Sequence, residues 1–182
     1  MEIVRPVKKL KFGFLFILLL WAFSALAETP EVLGLAAAEG WVQGDVQRVG
    51  FRAFIFKKAI QYNLGGWIEN QENGSVHFVL QGEPQGLDFV LEAIRTGPAS
   101  AKVDEVHAGS YPVHSALRTL TVRGWTSQSR HFLHPVDLVY PLRPDNGPLP
   151  EGASQEIFKK IIQDAMSAPG MVAVPSHSFR ED

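Results

Sequence analysis

Apolar residues recur along the chain with two different periods, and the points where the period changes mark out its elements. From Phe51 to Asn63, the residues Phe51, Ile55, Phe56, Ala59, Ile60 and Tyr62 fall on one side of a 3.6-residue wheel, with Lys57, Lys58 and Gln61 on the other. That stripe predicts an amphipathic helix ended by Gly65-Gly66. A second helix is predicted from Pro84, where Leu87, Val90, Leu91 and Ile94 recur at i, i+3, i+4 and i+7 before Gly97-Pro98 closes the run. Between the helices the period shortens. Trp67 to Asn70 and Ser75 to Gln81 predict paired strands, with Val76, Phe78 and Leu80 on one face and the hairpin dipeptide Asn73-Gly74 between them. Residues 36 to 44, small and β-compatible, predict a first strand that runs into the loop Asp45 to Gly50, and Val103 to Ala108 and Leu117 to Arg123 predict the last strands. The order strand, helix, strand, strand, helix, strand is a split βαβ arrangement (βαββαβ), an α+β fold in which two helices cover one face of an antiparallel sheet.

Beyond Arg123 the pattern thins. Pro141, Pro144, Pro148 and Pro150, with Gly147 and Gly152, predict an extended linker. Ser154 then stands where it would cap a helix whose Ile157, Phe158, Ile161, Ile162, Ala165 and Met166 form an apolar stripe, ended by Pro169-Gly170. Such a stripe needs cover, and packing back onto the domain is its default. A protein partner is the alternative, and a membrane surface is disfavoured because the polar face offers only Lys159 and Lys160 as cations.

Charge and composition narrow the function. Seventeen Lys and Arg against nineteen Asp and Glu supply no global attraction toward nucleic acid or anionic lipid, so any anion site must be local. With no cysteine, thiol catalysis, disulfides and thiolate metal sites are excluded. The length of 182 residues and a 46% hydrophobic content suit one compact domain with appendages. One appendage is N-terminal: Arg5, Lys8, Lys9 and Lys11 precede an apolar run from Phe12 to Phe23 and then Ser24-Ala25-Leu26-Ala27. This reads as a secretory signal cleaved after Ala27, which predicts a periplasmic or secreted protein without a stable membrane span after cleavage. An uncleaved anchor is the alternative, but the run is shorter than the roughly 20 residues that cross a bilayer. Residues 28 to 37 would be a short leader.

The chemistry concentrates between Val42 and Arg52, where a strand enters a loop holding Gly44 and Gly50 and a helix begins with Arg52 in its first turn. Backbone N–H groups of such a loop converge on one point, the helix dipole adds positive potential there, and a guanidinium can grip two oxygens of a tetrahedral anion. The pattern predicts an anion cradle made of Val46, Gln47, Arg48, Val49, Gly50, Phe51 and Arg52.

The same stretch resembles the acylphosphatase signature, V-x-G-x-V-Q followed by a glycine, a valine and G-F-R, through Val42, Gly44, Val46, Gln47, Val49, Gly50, Phe51 and Arg52. A second signature of that family, G-W-x-x-N-x-x-x-G-x-V with a later glycine, is matched by Gly66, Trp67, Asn70, Gly74, Val76 and Gly82. The resemblance covers residues 38 to 123 and leaves 124 to 182 as an extension. It implies a ferredoxin-like fold and hydrolysis of an acyl phosphate, a small molecule, to a carboxylate and inorganic phosphate without metal or organic cofactor. It also implies that Arg52 holds the phosphoryl group and Asn70 orients the attacking water. Asparagine takes no proton at neutral pH, so the chemistry rests on positioning and electrostatics, with a phosphate oxygen of the substrate as a proton acceptor. The sequence departs from the pattern at Arg48, where the family has glycine, and at Glu69, beside Asn70. The alternative is a non-catalytic phosphate-binding or partner-binding module that kept the cradle. A metal site at His131, His134 and Asp137 is the weaker reading, because Pro135 disfavours a helical conformation at His134. The Asn73-Gly74-Ser75 glycosylation sequon is equally weak, since the hairpin already explains its first two residues.

Overall fold

A computed structural model describes residues 34–126, 134–150 and 152–167. In chain order the elements are β1 (Ala36–Asp45), α1 (Phe51–Gln61), β2 (Gly65–Asn70), β3 (Val76–Gly82), α2 (Pro84–Thr96), β4 (Lys102–Ser110), β5 (Thr119–Trp125), β6 (Val136–Pro141) and α3 (Ala153–Ser167). They build one sheet in the order β4-β1-β3-β2-β5-β6, antiparallel throughout except for the parallel pair β2 and β5. The inner order 4-1-3-2, with α1 and α2 as crossovers, is the ferredoxin-like split βαβ expected from the periodicity.

Strand alternation sends Val42, Ile68, Phe78, Leu80, Leu120 and Val122 to the helix-covered face, where they meet Ile55, Phe56 and Ile60 of α1 and Val90 and Ile94 of α2 in one buried cluster. The opposite face carries Trp41 stacked on His77, with the Trp67 ring edge-on to His77 and the Arg123 guanidinium over Trp67. Helix α1 ends before the Gly65-Gly66 pair, because Asn63 takes a left-handed conformation at φ 54. The Asn63 N–H donates to the Ile60 carbonyl, and the Leu64 N–H donates to that of Ala59.

Two expectations about the C-terminal third need correction. Residues 136 to 141 form a sixth strand antiparallel to β5, with Leu138 and Tyr140 turned into the core. Val136, Leu138 and Tyr140 do alternate, but the run is six residues long and ends in Pro141, which drew it into the linker reading. The linker itself is strapped to the domain: Asn63 Nδ2 donates to the carbonyls of Arg143 and Asp145, and Asn63 Oδ1 accepts from the Arg143 N–H. The Leu142 N–H donates to the Arg118 carbonyl, and the Leu149 N–H donates to that of Gln61. Helix α3 starts at Ala153, which puts Ser154 inside its first turn instead of ahead of it. Its apolar stripe packs back onto the domain, where Phe158 meets Phe56 of α1 edge-on at 6.1 Å and Lys57 donates to Gln155. The Pro169-Gly170 stop lies outside the described residues.

Candidate active site

The site begins with a break in β1. Its register with β4 shifts between Gln43 and Gly44, and Gly44 sits at φ 125, where an added Cβ would lie 2.2 Å from the Lys102 carbonyl oxygen. Only glycine fits this bulge, and the bulge bends the chain out of the sheet toward α1. Val46 then drops into the core, and Gln47 reaches across to donate from Nε2 to the carbonyls of Gln71 and Ser75, both at 2.8 Å. That clamp ties the loop to the β2–β3 hairpin. Arg48 adopts the left-handed region at φ 62, a strained conformation for a residue that carries a Cβ. Val49 packs against the core while its carbonyl accepts from Ser100 Oγ at 2.8 Å.

Gly50 caps α1 without a side-chain hydrogen bond, and the helix has no acidic residue in its first turn. The first bond inside the helix is from the Phe54 N–H to the Gly50 carbonyl, so the N–H groups of Phe51, Arg52 and Ala53 precede the ladder. Unpaired donors at a helix N-terminus favour an anion.

Arg52 rises from this turn toward the end of β5. Its Nη1 donates to the carbonyls of Arg123 at 2.7 Å and Gly124 at 3.1 Å, and its guanidinium lies 5.5 Å from the centroid of the Trp125 ring. Burial pushes its pKa down from the ordinary value, yet a guanidinium stays charged across the neutral range. Held at one end by carbonyls, the fork is aimed before any ligand arrives.

Asn70 closes β2, opposite Val76 of β3. Its Oδ1 is buried and has no hydrogen-bond partner among the described residues. An orphaned buried acceptor costs about 1–3 kcal/mol, a penalty that a donor such as water can relieve. Glu69 faces the other side of the sheet, within 3.6 Å of His77 and 3.4 Å of Arg123, so its charge is turned away.

An open cleft of about 200 Å³ gathers these parts. Val46, Arg48, Gly50, Phe51 and Arg52 line it from the loop and α1, Asn70 from β2, and Trp125 and Thr126 from the end of β5. Gln47 and Val49, expected in the cradle, lie beside it as braces. Trp125 and Thr126 were missed, because the strand was expected to end at Arg123. Gly124 within a strand pattern is the signal of a bulge that could have found them. Among the described residues no group of three or more His, Asp or Glu is arranged to hold a metal. His131 lies outside them, and Asp137 accepts the Gly124 N–H at 2.9 Å.

The acylphosphatase family model matches residues 38–126. An acylphosphatase of Methanocella arvoryzae is 38% identical over 72 residues, which are 40% of this chain and 82% of that protein. The chain belongs to the acylphosphatase family. A second acylphosphatase, from Moorella thermoacetica, is 42% identical over 74 residues, 41% of this chain and 80% of the relative. The solved acylphosphatase of Coxiella burnetii is 30% identical, with 52% of this chain and 99% of that one covered at a TM-score of 0.48. The family match and the two curated relatives make the protein an acylphosphatase-type hydrolase, and the matched region ends one residue after Trp125. Strand β6 and helix α3 lie beyond the matched region.

Proposed function

We propose that this acylphosphatase-type enzyme hydrolyses small acyl phosphates in the cleft between the β1–α1 loop and the end of β5. The loop amides and the Arg52 guanidinium hold the phosphoryl oxygens, and the Asn70 side-chain amide orients the attacking water. Oxygen of that water bonds to phosphorus as the bond from phosphorus to the acyl oxygen breaks. The carboxylate leaves with the electron pair, and the water proton passes to a phosphate oxygen or to solvent. No side chain has to ionise, because the leaving carboxylate is already a good one and the fixed charges need only meet the transition state.

The observation that carries this reading is the pairing, in one cleft, of an arginine in the first turn of a helix with the asparagine that closes β2. A second reading, a non-catalytic anion-binding module, draws on Arg48, which brings a second cation to the same cleft. Release of benzoate and phosphate from benzoyl phosphate, followed by ultraviolet absorbance, separates the two. Steady turnover supports the enzyme. Phosphate binding without turnover leaves the module.

We also propose that the protein acts outside the cytoplasm, on the strength of the basic, apolar and small-residue succession from Arg5 to Ala27. Among the described residues no helix is long and apolar enough to cross a membrane. N-terminal sequencing of protein recovered from the exported fraction tests this: a chain starting at Glu28 supports it, and full-length protein in the cytosol overturns it.

A further inference from the structure

Strand β5 changes face just before the cleft. Leu120 and Val122 point into the core, and Arg123 points to the open face over Trp67. Strict alternation would then send Gly124 inward and Trp125 outward. Instead the register with β6 shifts between Val122 and Trp125, and Gly124 takes a left-handed φ of 57. The bulge returns Trp125 to the helix-covered side, where its ring meets Phe158 of α3 edge-on at 5.9 Å and the Arg52 guanidinium at 5.5 Å. Bulges beside functional sites re-aim side chains in this way.

The indole is held by its ring contacts with Phe158 and Arg52. Its Nε1–H is buried and has no hydrogen-bond partner among the described residues, although Trp125 forms a wall of the cleft. The position is fixed from the C-terminal extension: Val136 of β6 stands opposite Trp125, Asp137 anchors the bulge through the Gly124 N–H, and α3 backs the ring. A large apolar surface is thereby set in the cleft beside the arginine that would take the phosphoryl group.

We propose that Trp125 determines which acyl group the site accepts, selecting acyl phosphates whose acyl part is planar and apolar over those with a small one. This inference rests on the proposed reading of the cleft as an acyl phosphate site. A planar acyl group lies against the indole, sheltered from water, while its phosphoryl group stays with Arg52 and the loop amides. An acetyl group is too small to cover the ring. The C-terminal extension is then part of the specificity apparatus, since it holds the wall in place.

The test compares benzoyl phosphate with acetyl phosphate in the full chain and in its Trp125→Ala, Trp125→Leu and Trp125→Phe variants, each checked for folding by circular dichroism. Binding of benzoylphosphonate and acetylphosphonate, which are not hydrolysed, is measured alongside by calorimetry. The expected result is a KM for benzoyl phosphate raised about tenfold in Trp125→Ala and Trp125→Leu, nearly restored in Trp125→Phe, with acetyl phosphate changed less than about threefold. Equal losses for both substrates would mean that Trp125 only supports Arg52, and no change in either would mean that the ring is not a wall for substrate. Either overturns the proposal. If wild-type protein turns over neither substrate, the hydrolase reading fails by itself. The phosphonates then decide: a wild-type preference for benzoylphosphonate that Trp125→Leu removes upholds the acyl site, and equal affinities sink it.

Discussion

The two sides of the cleft reach the same place by different routes. One side is a single stretch, Gly44 to Arg52, in which a bulge at Gly44, a brace from Gln47 and the start of α1 follow one another along the chain. The other side is Trp125 and Thr126, delivered by a strand that pairs in parallel with β2 and held by β6 and α3. The first side presents N–H groups and a guanidinium, and the second presents an indole face. On the proposed reading, the local side holds the phosphoryl group and the assembled side selects the acyl group attached to it.

The largest effect should come from the local side. Arg52→Ala removes the only side-chain fork aimed from α1 at the anion, and kcat/KM for benzoyl phosphate should fall about a thousandfold or more, with the circular dichroism spectrum unchanged. A loss below tenfold would move the phosphoryl site elsewhere. On the assembled side the main effect is on stability: Leu138→Ala empties a fully buried position in β6 and should cost about 3 kcal/mol in urea denaturation. An unchanged midpoint would mean that β6 adds nothing to the fold.

Smaller effects refine the contrast. Asp137→Ala deletes the acceptor for the Gly124 N–H and loosens the carbonyls that aim Arg52, so kcat/KM should drop about fivefold, in keeping with the loss of one hydrogen bond to a charged group. A normal rate would show that the bulge holds itself. Arg48→Gly relieves the left-handed conformation at φ 62 and should raise stability by about 0.5–1 kcal/mol, after allowing for the greater freedom of glycine in the unfolded chain. Destabilisation would mean that the Arg48 side chain is held in place by contacts worth more than its backbone strain.

How much the sequence revealed follows the same division. Glycines at a strand-to-helix turn, an arginine in the next turn and an asparagine at the end of a hairpin strand are local signals, and the structure gathers Gly50, Arg52 and Asn70 into one cleft. The three helices were legible because their apolar stripes run long enough to count, and the first five strands from alternation, turn dipeptides and β-compatible runs. Strand β6 was not, since three alternating residues before a proline look like linker. Trp125 was missed for another reason: its facing depends on a register shift against β6, which periodicity within β5 cannot reveal. Asn63 likewise shows only polar character in sequence, whereas in the fold it is buried and binds the backbone about 80 positions away.

The central claim is a division of labour between Arg52 and Asn70, and phosphate titration calorimetry set beside benzoyl phosphate turnover tests it most directly. In Asn70→Ala, phosphate affinity should stay within about twofold of wild type while kcat falls about a hundredfold or more, because only the orientation of water is lost. In Arg52→Ala both should fall together. If Asn70→Ala turns over normally, or loses phosphate affinity as fully as Arg52→Ala does, Asn70 does not position the water and the account is wrong.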